Sequence, residues 1–363
     1  MRNEKEKHPH GRSTIHDVAM RANVSTGTVS HVLNGSAPTS EETRRRVMEA
    51  IEELNYHRNE NARALRTANT KTIGIILQDI ISEYYAKCTM RILECAQQEG
   101  YSVLSVCTHR LKTVLQNSVN ELVNRQVSGV IFVGGESDES CHEVVRAAGI
   151  PMVFADRFVE NFPCVEFDNY STMYKLAHAF YRQGYRKFSY FGVSENVQQN
   201  LQRRFDGLRE GMKDLGVPEE DFRIILVDDV AVTNLREVYK TIAERIEDFV
   251  SDAGKHLVLA SSDISAQAMI YALTEHGVRV PEDVGVFGFD NNAITAFCKP
   301  SLSTVEQNPY ELGEKTFGML MQQIQHPDQR IENIMLEQKV ILRESVRLNA
   351  EIGRDIDLCF EME

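Results

Sequence analysis

Between Thr72 and Phe287 the chain repeats one pattern, a short apolar run followed by a longer amphipathic stretch. The runs are Ile73–Leu77, Val103–Val106, Val130–Val133, Met152–Phe154, Phe188–Phe191, Ile224–Val227, Leu257–Ala260 and Val284–Phe287. Apolar runs of this length read as strands, and the stretches between most of them are long enough for helices. Strand–helix alternation builds parallel sheets wound on both faces. Eight strands over this length call for two such subdomains rather than one. In open sheets of this kind, ligands bind outside the carboxyl ends of the strands.

The first seventy residues follow a different pattern. The whole chain of 363 residues carries a formal charge of −13. Residues 1–70 hold 11 Lys/Arg against 9 Asp/Glu, a net of +2, whereas the remainder holds 29 against 44, a net of −15. A polyanion is repelled by the bulk of the protein and tolerated by its head. Residues 1–12 read as a charged, flexible leader. They have no apolar core of the kind a signal peptide needs.

Thr14-Ile-His-Asp17 is a capping-box-like start, and Ile15, Val18, Ala19 and Ala22 form one apolar stripe behind it. Ala22-Asn-Val24 makes a tight turn. Ser25 caps a second helix, whose Val29, Val32 and Leu33 share a face. Ser40 caps a third, with Val47, Ile51 and Leu54 inward and Arg44–Arg46 largely outward. Three short helices so joined are a helix-turn-helix domain, expected over residues 13–57. The leading end of its second helix carries Ser25-Thr-Gly-Thr28, all short hydrogen-bonding or minimal side chains. Hydroxyls, a threonine methyl and a glycine that lets backbone approach closely are suited to base edges in a major groove. The helix N-terminus adds partial positive charge for phosphate.

The segments TIHDVAMRANVSTGTVSHVLNG (14–35) and SEETRRRVMEAIEELNY (40–56) resemble the LacI/GalR family of bacterial transcription regulators. The second helix is particularly similar to the purine-repressor branch of that family. The resemblance runs on through NARALRT (61–67), KTIGII (71–76), VPEDVGVFGFD (280–290) and PSLSTVEQ (300–307), so it spans roughly residues 13–345. It implies base reading by Thr26, Gly27 and His31, and phosphate contacts by Ser25, Thr28, Ser30 and Asn34. Gly27 departs from a more usual bulkier residue. Residues 58–70 resemble a hinge helix that forms on DNA. There Leu65 matches a leucine wedged into a central base step, Ala62 allows close packing, and Arg63 and Arg66 lie near phosphate or groove edges. Arg58 stands where proline is common.

The same resemblance implies a periplasmic-binding-protein-like body over residues 71–345. Its lobes are expected at about 71–168 plus 301–330 and about 169–299 plus 334–345. The chain should pass between them after Asp168, near Lys299–Thr304 and near Asp328–Ile334. Candidate ligand contacts at strand ends are Tyr84, Tyr85, Asp156, Arg204, Ser262 and Asp290, where Arg204 and Asp290 match a family arginine and a family aspartate. A carboxylate and a guanidinium facing one cleft hold hydroxyls by charge-assisted hydrogen bonds. Ser262 stands where many relatives carry asparagine, and Ile81-Ser-Glu-Tyr84 replaces a common Ser-Asn-Pro-Phe loop. The ligand class expected is a small sugar or related metabolite.

No nucleophile elbow, P-loop or metal-ligand spacing is present, so neither an enzyme nor a cofactor is expected. The seven cysteines, at 88, 95, 107, 141, 164, 298 and 359, include no C-x-x-C pair. They read as reduced thiols of a cytoplasmic protein. Residues 346–363 are expected to be a plain tail without the apolar heptads of a coiled coil. Together these readings describe a homodimeric, effector-controlled regulator, more often a repressor, on a near-palindromic duplex operator, with no membrane partner. A solute-binding receptor, a regulator controlled by a protein co-effector and an α/β enzyme are the alternatives.

Overall fold

A computed structural model describes residues 13–56, 70–78, 80–109, 111–135, 138–193, 199–227, 235–249, 256–348 and 359–362. The chain divides into two compact units, Met1–Thr70 and Lys71–Glu363.

The first unit contains helices α1 (Ile15–Ala22), α2 (Thr26–Asn34) and α3 (Glu41–Glu53). Each begins on a side-chain cap. Thr14 and Asp17 close a reciprocal capping box, Ser25 accepts from Thr28 N–H, and Ser40 accepts from Thr43 N–H. These caps satisfy amides that have no partner inside the helix. The turn between α1 and α2 is made by Asn23 at φ 52°, and α2 stops at Gly35, φ 62°. Val18, Val29 and Val47, one from each helix, are fully buried among Ala19, Ala22, Val32 and Ala50. So small a core tolerates little loss.

The second unit holds two sheets. The first contains β1 (Thr72–Leu77), β2 (Ser102–Cys107), β3 (Gly129–Val133), β4 (Met152–Ala155), β5 (Cys164–Phe167) and β11 (Ile334–Leu336), in the order β11-β5-β4-β3-β1-β2. All its pairings are parallel. Helices α4 (Glu83–Gln98), α5 (Lys112–Asn124) and α6 (Glu139–Ala147) connect its strands. The second sheet contains β6 (Lys187–Val193), β7 (Phe222–Val227), β8 (His256–Ala260), β9 (Val284–Asp290), β10 (Ser303–Glu306), β12 (Lys339–Leu342) and β13 (Cys359–Met362). Its order is β13-β12-β10-β9-β8-β6-β7, parallel except where β12 runs against β10. Central strands β3, β4 and β8 are buried at every position, as expected where both faces are covered.

Around the second sheet lie α7 (Asn169–Arg182), α8 (Gln199–Asp214), α9 (Leu235–Ala243) and α10 (Asp263–Glu275), whereas α11 (Pro309–Gln325) packs on α4 and on β3–β5 of the first. The chain therefore passes between lobes at Asp168, at 307–308 and at 337–338. The first passage lies where the sequence placed it. The other two lie later than expected, because PSLSTVE forms β10 beside β9 in the second sheet and Ile334–Leu336 pairs with β5 in the first. Both are short runs, and only pairing decides which sheet they join. Nor are residues 346–363 merely a tail, since Cys359–Met362 adds an edge strand parallel to β12.

Candidate DNA-recognition and effector sites

In the first unit, α2 turns Val29 and Val32 into the core and leaves Ser25, Thr26, Gly27 and His31 exposed, with Thr28 and Ser30 half-buried. Ser25, Thr28 and His31 are engaged locally. The Ser25 hydroxyl lies 2.9 Å from that of Thr28 and accepts the Thr28 amide at 3.0 Å. His31 Nδ1 is 3.0 Å from Ser36 Oγ. Gly27 is not demanded by packing. A Cβ built there would meet only Ser25 Oγ, at an ordinary 3.5 Å. A helical glycine with room for a methyl costs stability that the domain itself does not recover. The side chain of Asn34, and Ala62, Arg63, Leu65 and Arg66, lie outside the described residues.

In the second unit the carboxyl ends of the two sheets face each other. Asp156 follows β4, adopts φ 59° and is 2% exposed. Its Oδ2 accepts from Tyr85 Oη at 3.0 Å and, across the cleft, from Asn200 Nδ2 of α8 at 2.8 Å. Three more bonds join the lobes. Phe158 N–H donates to Gln199 Oε1 at 2.9 Å, Arg203 reaches Glu166 at 3.3 Å, and Ala293 N–H donates to Glu83 Oε1 at 3.1 Å. Among the described residues, Asp156 Oδ1, Tyr84 Oη and Ser261 Oγ are buried without a hydrogen-bond partner. Such groups are costly to bury unpaired, and so they mark where a polar ligand would be held.

Arg204, 3% exposed, projects from α8 and lies flat on Phe289, its guanidinium carbon 3.6 Å from the ring centroid. Its Nε donates to Asn169 Oδ1 at 3.0 Å, Nη1 donates to Ser261 O at 2.7 Å, and Nη2 stands 3.8 Å from Asp290 Oδ1. Close helix packing sets this position. At Gly207, one turn along α8, a Cβ would come within 2.1 Å of Tyr170 O on α7. Asp290, at a strained φ of 113°, accepts from Gln307 Nε2 at 3.0 Å. Gln338 Nε2 then donates to both Gln307 Oε1 at 3.1 Å and Asn169 Oδ1 at 3.3 Å. Asn169, Gln307 and Gln338 stand at the three passages between lobes. With Arg204 and Asp290 they close a ring of polar contacts through all three.

Burial pushes the carboxyls of Asp156 and Asp290 up to about 6, against the pull of Arg204 in both cases. Burial also raises that of Asp263, whose oxygens take Thr304 Oγ1 at 2.6 Å and Asn292 N–H at 2.7 Å. Of the six residues expected at the site, Tyr84, Tyr85, Asp156, Arg204 and Asp290 come together. Ser262 does not. Its hydroxyl caps α10 by accepting from Ser265 N–H at 3.3 Å, while Ser261, one residue earlier, faces Arg204. Asn169, Asn200, Gln307 and Gln338 were not anticipated, because nothing local distinguishes an amide in the cleft from one on the surface.

A helix-turn-helix unit with an exposed polar face on its second helix, followed by a two-lobed body closing on a polar cleft, defines a ligand-responsive DNA-binding regulator. Family comparisons agree. Residues 14–59 match the bacterial regulatory proteins of the lacI family, and residues 177–346 match the periplasmic binding protein-like domain. The chain thus carries a lacI-family helix-turn-helix domain and a periplasmic-binding-protein-like body. Catabolite control protein A of Priestia megaterium is 25% identical over 92% of this chain and 99% of its own. The transcriptional repressor PurR of Mannheimia succiniciproducens is 28% identical over 92% and 99%. These relatives are transcription regulators, not enzymes. Two solved structures share the fold. The lac repressor dimer bound to operator and an anti-inducer has a TM-score of 0.78 at 23% identity, covering 92% of this chain and 99% of that one. A LacI-family regulator from Enterococcus faecium with bound ribose has 0.66 at 21%, covering 77% and 100%.

Proposed function

We propose that this regulator is a homodimeric repressor of a near-palindromic operator and that a sugar-like molecule in the interlobe cleft controls its affinity for DNA. The observation that carries the effector reading is the cleft itself. Asp156 and Asp290 from two strand ends and Arg204 from α8 converge there while Asp156 Oδ1, Tyr84 Oη and Ser261 Oγ stay unpartnered. The ribose in the Enterococcus faecium regulator and the operator and dimer of the lac repressor structure support the same reading. In a dimer, two α2 helices enter successive major grooves, and the two Leu65 side chains meet at the operator centre.

Ligand in the cleft acts through the ring at the passages. A change in how the lobes meet alters Asn169, Gln307 and Gln338 together, and its leverage on DNA equals the ligand's differential affinity for the two lobe arrangements. The test is operator binding by the purified protein at several salt concentrations, with Leu65→Ala beside it. Wild type should bind a selected duplex with a steep salt dependence. Leu65→Ala should bind it at least about tenfold more weakly while its ligand binding is unchanged. Equal loss of both would overturn the hinge role, and weak, sequence-blind binding by wild type would overturn the operator reading.

A further inference from the structure

The turn that ends α2 does more than stop the helix. Gly35, in the left-handed region at φ 62°, sends the chain back along the last turn of α2, and Ser36 Oγ comes to 3.0 Å from His31 Nδ1. Both residues are exposed, while Val29 and Val32 of the same helix take the buried positions. Ser25 and Ser40 accept from backbone amides and so cap helices, whereas the Ser36–His31 bond joins two side chains and caps nothing. An exposed hydroxyl is as well served by water, so the fold gains little from this contact. What it fixes is the imidazole ring.

A solvated imidazole is otherwise free to turn over and to carry its proton on either nitrogen. With Nδ1 held by Ser36, Nε2 is the nitrogen left to face a partner. A serine hydroxyl that donates to Nδ1 places the ring proton on Nε2, and a doubly protonated ring donates from Nε2 as well. Such a donor is complementary to guanine, whose N7 and O6 both accept in the major groove. It is mismatched to the amino groups that adenine and cytosine present there. We infer that Ser36 is a positioning residue for base reading, holding His31 with Nε2–H outward and so selecting guanine at the base pair that His31 faces. This rests on the reading of His31 as a base contact and deepens it, by naming the base and the residue outside α2 that selects it.

The experiment selects sequences from a library of duplexes randomised across both half-sites, using the full-length protein and its His31→Ala, Ser36→Ala and Ser36→Thr variants. His31→Ala identifies the pair, as the position where preference is lost. Wild type should favour guanine there by about tenfold or more. Ser36→Ala should reduce that preference to less than about threefold and leave the rest of the half-site unchanged, whereas Ser36→Thr, which keeps the hydroxyl, should restore it. Replacing the selected guanine by 7-deazaguanine, which lacks the N7 acceptor, should weaken wild type several-fold and Ser36→Ala much less. Amide exchange in α1–α3 checks that each variant's head is folded. If His31→Ala loses the preference but Ser36→Ala selects as wild type does, the role of Ser36 is overturned and His31 stands as a base contact. An A·T pair at that position, or no penalty from 7-deazaguanine, overturns the donor assignment. Selection unchanged by His31→Ala removes His31 from base reading and this inference with it.

Discussion

The recognition face of α2 and the interlobe cleft are both built from short polar side chains, yet they hold them in opposite ways. On α2 they stand exposed on a helix whose caps lie three residues away, as Ser25 does with Thr28. In the cleft, Asp156 and Arg204 are almost wholly buried and are held by partners far along the chain, such as Tyr85 for Asp156 and Ser261 for Arg204. An exposed face is solvated at little cost and can be altered one residue at a time. A buried network has to be satisfied as a whole, so each change propagates.

The largest test of that contrast removes the arginine. Arg204→Met keeps the apolar stem over Phe289 but leaves Asn169 and Asp290 without their charged partner. The body should lose roughly 3–5 kcal/mol. Urea unfolding followed by tyrosine fluorescence would measure it, and a loss below about 1 kcal/mol would mean that the guanidinium is not what holds the network.

Next comes pH, where carboxylates of the two units respond in opposite directions. The carboxyl of Asp156 titrates at about 6 in the fold because burial disfavours its charge, against about 3.9 unfolded. Its protonated form is therefore the one that folding favours. That contribution is complete below the unfolded value and is lost as pH rises through about 6, a difference of about 3 kcal/mol. Asp156→Asn, which imitates the protonated form, should gain on wild type by about that much near pH 7.5 and by little near pH 4. Parallel pH profiles for the two proteins would refute the assignment. In the first unit, the Thr14 amide lowers the carboxyl of Asp17. Its contribution is present above the unfolded value and is lost only as pH falls through the lower folded one, so the head should keep its stability across the range in which the body changes.

A smaller effect is expected at the passages between lobes. Gln338→Leu removes the donor shared by Asn169 and Gln307, should cost about 1–3 kcal/mol, and should reduce the effect of any bound ligand on operator affinity. Unchanged ligand coupling, measured by titrating operator with and without ligand, would show that the ring is structural only. The smallest effect belongs to α2. Gly27→Ala should stabilise the first unit by about 0.5–1 kcal/mol, read by amide exchange in α1–α3, while shifting the operator sequences selected. A stabilised head with unchanged preference would remove Gly27 from base reading.

Most of the architecture was legible because it is written locally. Capping at Thr14, Ser25 and Ser40 needs only residues three apart, and continuous apolar runs such as Val130–Val133 mark buried parallel strands wherever they fall. The resemblance to a known family then pointed to Arg204 and Asp290, and strand-end placement pointed to Asp156. Ser262 was expected beside them, but its hydroxyl caps α10 through a partner three residues away.

What the amino-acid sequence settled alone is the order of elements, the exposed polar face of α2 and the division between a mildly basic head and an acidic body. What only the tertiary structure decided is which sheet receives each short late strand, and which amides close the ring. PSLSTVE carries no mark of the sheet it joins, and Asn169 and Gln338 meet across 169 residues of chain. Contacts of that span depend on how two lobes pack. A buried amide is chosen for the partner that packing brings to it, not for anything its neighbours in sequence require.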